Sequence, residues 1–322
     1  MSNTQTSPSS AASSPRPNTA KSLQSSSPRW GERTIRGFLF LTAAISVAVT
    51  TAIVIALFQP LPELFREISI VEFFTETEWS PGFVGAKYGV APVVVGTLIV
   101  VVFALAVAVP LGLLSAIYLS EYAPNRVRKV IKPILEVLEG IPTVATGLFA
   151  FFWLKPTLEA ATPFLPWSGV FSTGVAGIAV GLIIIPLIAS VSDDAMRSVP
   201  RALREGAYAL GASKMRVALT VVIPAAFSGI IAAFVLGASR AVGETMIVLL
   251  VAGAGSPTLN FNPFEGIQTM TAYIASRATG EIAVGSTVYN TIFAVGALLF
   301  LITLLMNMIA IRFVKRFREV YE

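Results

Sequence analysis

Arg240 and Glu244 stand four residues apart in a run, Val217 to Val251, that carries no other charge. On one continuous helix that spacing puts both on one face. A guanidinium presents a planar fork of donors suited to oxyanions, and a neighbouring carboxylate can hold the fork or offset its charge while the site is empty. Ionisable groups are costly inside an apolar segment, which makes this pair a functional candidate. A second reading is a self-neutralised pair snorkelling to an interface. With a helix starting near Ile223, Arg240 sits about 25 Å along it, in the outer part of a bilayer. The residues alone fit either reading.

Other familiar chemistry is missing. The 322 residues include no cysteine and no histidine, which excludes disulfides, thiol nucleophiles, Cys/His zinc sites and imidazole triads. No G-x-x-x-x-G-K-[ST] loop occurs, and the fragment Gly211-Ala-Ser-Lys214 lacks its spacing. Any ATP hydrolysis must come from a separate subunit, so the chain reads as no enzyme in its own right. No metal-ligand cluster or cofactor motif is found. Asp193 and Asp194 read as a solvated helix end rather than a cation site.

The elements that must carry Arg240 and Glu244 are membrane spans. Hydrophobic residues make up 55% of the chain and charged ones 13%, where a soluble domain has roughly 25% charged. About 20 apolar residues in a helix cross the hydrocarbon core. Six such spans are expected, at about 36–58, 92–120, 134–154, 171–192, 220–250 and 285–311. Of the 23 Lys and Arg residues, 18 lie in the segments 16–36, 126–132, 197–216 and 312–318, all on one side of that arrangement. The positive-inside rule therefore places both termini in the cytoplasm. The basic charge is explained by this asymmetry and needs no nucleic acid. Residues 1–30, rich in Ser and Pro, cannot bury a core and are expected to be a disordered cytoplasmic tail, leaving 31–322 as the membrane domain. A retained first span is preferred to a cleaved signal peptide.

Between spans four and five, at about 195–216, a cytoplasmic block is too long and too regular for a simple turn. It reads as a short amphipathic helix, a change of direction permitted by Gly211, and a break at Pro224. Without a partner it would be merely an interfacial helix. Beyond it Gly229, Ala233, Gly237 and Ala241 form a ridge of small residues that allows another helix close.

Glu205-Gly206-Ala207, Gly211 and Val221-x-Ile223-Pro224 resemble the EAA loop of ABC importer permeases, with Gly206, Val221 and Ile223 as size-conserving departures. Ser239-Arg-Ala-Val-Gly-Glu-Thr-Met246 is similar to the Arg-Ala-x-Gly-Glu-Thr segment of phosphate ABC transporter permeases. Glu78-Trp79-Ser80-Pro81, Tyr88-Gly89-Val90-Ala91-Pro92, Glu139-Gly140-Ile141-Pro142-Thr143 and Ser192 to Pro200 extend the likeness over about 36–316. The Glu-Trp-x-Pro loop points to the PstC-type rather than the sister PstA-type subunit.

The resemblance implies an all-α integral membrane protein of six transmembrane helices with the type I ABC importer (MetI-like) permease core and a cytoplasmic coupling helix. It implies a multi-pass cell-membrane protein importing inorganic phosphate, with two copies of an ATP-binding subunit, a PstA-like second permease and an extracytoplasmic phosphate-binding protein as partners. Glu205, Gly206, Ala207, Gly211 and Pro224 would couple to the ATPase. Arg240 would contact phosphate, with Glu244 as its counter-ion. A PstA-type permease, a permease for molybdate, sulfate or an amino acid, a gradient-driven secondary transporter and a non-transporting membrane anchor or sensor subunit are the alternatives. Six spans without an inverted repeat, together with the EAA-like loop, count against the secondary transporter.

Overall fold

The computed structural model describes residues 30–253 and 258–316. Apart from Trp30, the expected tail lies outside them. The chain divides into two compact units, residues 1–52 and 53–322. The described part of the first is the leading portion of α1 (Trp30–Phe58). No proline interrupts it, and its apolar side chains, Phe38, Phe40 and Val47 among them, are exposed. The hydroxyls of Thr50 and Thr51 donate to the carbonyls of Ser46 and Val47 at 2.9 and 2.8 Å, so they present no unpaired polar group to an apolar solvent.

The second unit is built on α4 (Ala91–Ile117) and α8 (Thr173–Arg197). These helices approach so closely because their facing positions lack bulk. A Cβ on Gly181 would stand 2.7 Å from the Ala104 carbonyl oxygen, and one on Gly177 would stand 2.6 Å from Phe103 Cβ. Ala104, Ala108, Ala176, Ala179 and Val180 fill the seam and are buried. Where hydrocarbon replaces water, such close van der Waals packing is the main attraction between helices.

The small-residue ridge of α12 (Phe227–Gly243) lies on the same support. A Cβ at Gly229 would meet Ala195 Cβ at 2.4 Å, and Gly237 faces Ile184 and Ile188 of α8. The remaining long helix, α15 (Thr287–Arg316), packs on α12 and on α14 (Met270–Ala278). Segment 259–269 is pinned by hydroxyls. Thr173 Oγ1 donates to the Glu265 carbonyl at 2.9 Å and accepts from Ile267 N at 2.8 Å, while Thr97 Oγ1 accepts from Met270 N at 3.0 Å.

The Glu78–Pro81 stretch follows the short helices α2 (Leu61–Glu67) and α3 (Ile70–Thr75). Two isolated antiparallel bridges, Glu78 with Thr258 and Trp79 with Tyr88, tie it down. Trp79 is buried with its ring 4.9 Å from that of Tyr273. Gly89 is obligatory there, since a Cβ would collide with the Glu76 carbonyl.

By length and composition four helical stretches can cross a membrane: Thr34–Glu67, Ala91–Tyr122, Thr173–Arg197 and Thr287–Arg316. Two bent pairs raise the number to six. One joins α5 (Asn125–Glu139) to the stretch Thr143–Ala161, which contains α6 (Thr143–Phe149) and α7 (Lys155–Ala161), at 88°. The other joins Lys214–Ala225 to α12 at 72°. The interval 220–250 is therefore not one straight helix. It bends at Ala226 and breaks again after Gly243, where Glu244 is extended and α13 (Met246–Val251) begins. Pro224 opens the three-residue α11 (Ile223–Ala225) just before the first bend.

The α4–α8 contact sets an expectation. Gly181→Val forces the helices apart and should destabilise the protein by about 1–3 kcal/mol, as overpacking does. Gly37→Ala, with nothing within 4 Å of its Cβ, should leave stability unchanged or slightly raised. Thermal unfolding in detergent compares the two, and equal stabilities would refute the packing argument.

Candidate functional site

Arg240 and Glu244 are not partners. The i,i+4 argument presumes a helix continuing through Glu244, and the break after Gly243 removes that condition. Glu244 is buried, and its Oε1 accepts from the backbone N–H groups of Thr245, Met246 and Ile247 at 3.2, 3.2 and 3.3 Å. It thus caps the first turn of α13, where orphan donors and the helix dipole favour a carboxylate. Its own carbonyl accepts from Thr271 Oγ1 at 2.7 Å, which fixes the break to α14. Among the described residues, no hydrogen bond or ion pair joins Glu244 to Arg240.

The carboxylate opposite Arg240 is Glu139, at the last residue of α5. Arg240 Nη1 donates to Glu139 Oε1 at 2.8 Å and Nη2 to the Glu139 carbonyl at 3.3 Å. The fork is thus used on two acceptors at one helix end. About a third of each side chain stays exposed, 31% for Arg240 and 34% for Glu139. Measured from the bend at Ala226, Arg240 is about 20 Å along α12 rather than 25 Å. Both helices that supply the pair end there. Gly140 and Pro142 turn the chain from α5 into α6, and α6 packs against α13. Two broken helices therefore meet at one level, bridged by a charged pair.

The beginning of α5 is held ionically as well. Arg128 donates to Asp193 Oδ2 through Nη2 at 2.7 Å and Nε at 3.3 Å. Lys132 pairs with Asp194 and lies 3.9 Å from Asp193. The reading of both aspartates as a solvated helix end needs correction, because Asp193 is wholly buried while Asp194 is 60% exposed. None of the residues of α5 is buried. α5 and α12 each pack on α8 but share no extended contact with one another. Charge pairs thus hold both ends of α5.

The second cluster lies at the opposite end of α12. α9 (Arg201–Ala209) presents Glu205, Gly206 and Tyr208 to solvent, and Leu210, just past its end, is 90% exposed. Ala207 turns inward against Met196 and Val217. The helix ends in a Schellman turn. Ala212 N donates to the Ala207 carbonyl at 3.1 Å and Gly211 N to the Tyr208 carbonyl at 2.9 Å. Gly211 has φ +78° with open space around it, so conformation and not crowding requires glycine. Ser213 then caps α10 (Lys214–Val217), and a π-helical turn over Ala218–Val222 leads to Pro224. Glu205 to Gly211 thus form one exposed block, with Pro224 on the return path.

Glu139 did not stand out among the candidate residues, although an isolated acid before Gly-x-Pro between apolar runs is a usable signal. The exposed α9 block and the Arg240–Glu139 pair at two helix breaks thus sit on a scaffold of helices long and apolar enough to cross a membrane. Comparison with known proteins identifies its family. Residues 108–319 match the model for the binding-protein-dependent transport system inner membrane component, and the chain belongs to that family of ABC importer permeases. It is 34% identical to a probable ABC transporter permease, YqgH, of Bacillus subtilis over 89% of this chain and 92% of that protein. It is also 34% identical to the phosphate transport system permease PstC 1 of Mycobacterium tuberculosis, over 76% and 82%.

Two solved structures share the fold. A chain from a bacterial ABC transporter involved in alginate import aligns with a TM-score of 0.59 at 16% identity, covering 91% of this chain and 100% of that one. A chain of the MetNI methionine ABC transporter aligns with 0.51 at 19%, covering 72% and 95%. The all-α type I importer permease architecture is thereby established, as is the PstC-type resemblance.

Asp193→Asn should cost about 1.5–3 kcal/mol, because it removes the buried charge that Arg128 grips while Asp194 still faces both cations. Asp194→Asn should cost about 0–1 kcal/mol, since an exposed pair contributes little. Chemical unfolding of the purified variants measures both, and equal losses would contradict the assigned burial.

Proposed function

We propose that this chain is the PstC-type permease subunit of an ATP-driven importer that carries inorganic phosphate into the cytoplasm. The observation that carries this reading is the Arg240–Glu139 pair, about a third exposed where two broken helices meet, in a chain whose relatives include phosphate permeases. A guanidinium fork that holds a carboxylate oxygen can hold a phosphate oxygen instead. Phosphate arriving at Arg240 would displace Glu139, loosening the end of α5 while Arg128 and Lys132 hold its beginning. Glu139 would then be the counter-ion of the empty path. Glu244 would shape the path by capping α13 and by its negative charge.

The partners follow from the family. A second, PstA-like permease would complete the path, and an extracytoplasmic binding protein would deliver phosphate. Two ATP-binding subunits would supply the hydrolysis for which this chain has no loop. Glu205, Gly206, Ala207, Gly211 and Pro224 would make the coupling surface, with both termini cytoplasmic as the Lys and Arg asymmetry indicates. Closure of the ATPases on ATP would draw the coupling helices together and rock the spans, and hydrolysis would reset them.

Labelled-phosphate uptake by cells with and without this chain, partners present, tests the reading. Uptake should vanish on deletion and be competed by arsenate but not by sulfate or molybdate; competition by sulfate or molybdate would reassign the substrate. Arg240→Lys keeps the charge but loses the fork. It should lower uptake at subsaturating phosphate roughly ten- to a hundredfold, the equivalent of about 1.5–3 kcal/mol for hydrogen bonds to a charged group. Wild-type uptake in that variant would remove Arg240 from the path. Gly211→Val, strained at positive φ, should abolish transport or release the ATPase from the purified complex, and normal behaviour in both respects would defeat the coupling assignment.

A further inference from the structure

The coupling block is attached to the membrane core by very few side chains. No residue of α9 is buried. Its inward-facing polar residue is Arg204, whose side chain is only 18% exposed. Arg204 Nη1 lies 3.3 Å from Glu121 Oε1, and Nη2 donates to the Met196 carbonyl at 2.7 Å. Glu121 is 4% exposed in its side chain and belongs to a π-helical turn, Tyr118–Tyr122, that continues α4. Met196 is completely buried in the last turn of α8. One guanidinium thus spans the ends of the two helices that form the scaffold.

Tyr122, next to Glu121, holds the other side of the Gly211 turn. Lys214, on α10, places Nζ 5.1 Å above the ring of Tyr122. Both arms of the coupling turn are therefore fastened to consecutive residues of the same π-helical turn, one by charge and one by a cation–π contact. A π-helical turn carries an extra residue relative to an α-helix and is frequent at functional sites. Glu205, next to Arg204, points to solvent, so the two neighbours divide the labour between partner and core.

We propose that Glu121 and Arg204 are the positioning pair that converts displacement of the coupling helix into movement of α4 and α8. The proposal rests on the importer reading. The alternative means of attachment, the packing of Ala207 and Ala212 against Met196 and Val217, involves small apolar side chains that can slide. Arg204, hydrogen-bonded to the Met196 carbonyl and paired with Glu121, ties the block to both helix ends at once. Without it the ATPases could still dock on the exposed face and cycle, while the scaffold followed only partly.

The test uses the complete importer in liposomes, with inorganic phosphate as cargo, and reads ATP hydrolysed per phosphate taken up. Glu121→Gln and Arg204→Lys should each raise that ratio about fivefold or more. Uptake should fall while ATP hydrolysis and the co-purified subunits are retained. A ratio unchanged in Arg204→Lys would overturn the proposal, as would uptake and hydrolysis falling in proportion. If Glu121→Gln does not assemble, Arg204→Lys, which preserves the charge, decides. Should the wild-type importer prefer another anion, the ratio is measured with that anion and the coupling proposal stands or falls independently. A wild-type complex that moves no solute while hydrolysing ATP would instead defeat the importer reading itself.

Discussion

The close approach of α4 and α8 is the constraint on which the remaining architecture depends. In an apolar solvent there is little hydrophobic reward for bringing helices together, so contact must come from packing that larger side chains would prevent. Gly177, Gly181, Ala104 and Ala108 provide it, and Gly229 and Gly237 extend it to α12. This core carries both candidate clusters. The coupling block hangs from one end of it, through Arg204 and the Schellman turn at Gly211. The Arg240–Glu139 pair lies towards the other end of α12.

These clusters are held by different physics from the scaffold. Helix breaks in an apolar segment expose backbone donors and acceptors that need partners. Glu244 answers that need at α13, and Thr271 locks it from the side. Arg240 is bonded to a helix end belonging to a different element, where only a third of each partner is exposed. A bond of that kind has two outcomes of similar quality when an anion arrives, and packed glycines have only one. In the proposed function the glycine-packed scaffold would be the fixed frame and the Arg240–Glu139 pair its exchangeable part.

Much of this was legible in the residues. Uncharged runs identified a membrane protein, and the lone charges Arg240 and Glu244 marked the end of α12, where the helix breaks and the Arg240–Glu139 pair forms. The glycine turn at Gly211 was readable because φ > 0 selects glycine locally. The partners were not readable, because they are set by tertiary structure. Glu139 lies 101 residues from Arg240, and Arg128 lies 65 from Asp193. Helical periodicity assumes an unbroken helix, so it paired Arg240 with Glu244 across a break it could not see. The same limitation turned Asp193 into a solvated helix end, since the basic residues that bury it belong to α5.

The central claim is that Arg240 exchanges Glu139 for phosphate, with release of the end of α5. The chain contains no cysteine, so nitroxide labels can be placed at Glu136 on α5 and Leu236 on α12, both exposed, without further substitution in this subunit. Their separation in the assembled importer is the most direct measurement. Without phosphate the labels should give one short distance. With phosphate-loaded binding protein and ATP plus vanadate, a longer distance should replace it, and Glu139→Gln should show that longer component without either. An identical distribution under all three conditions would contradict the account.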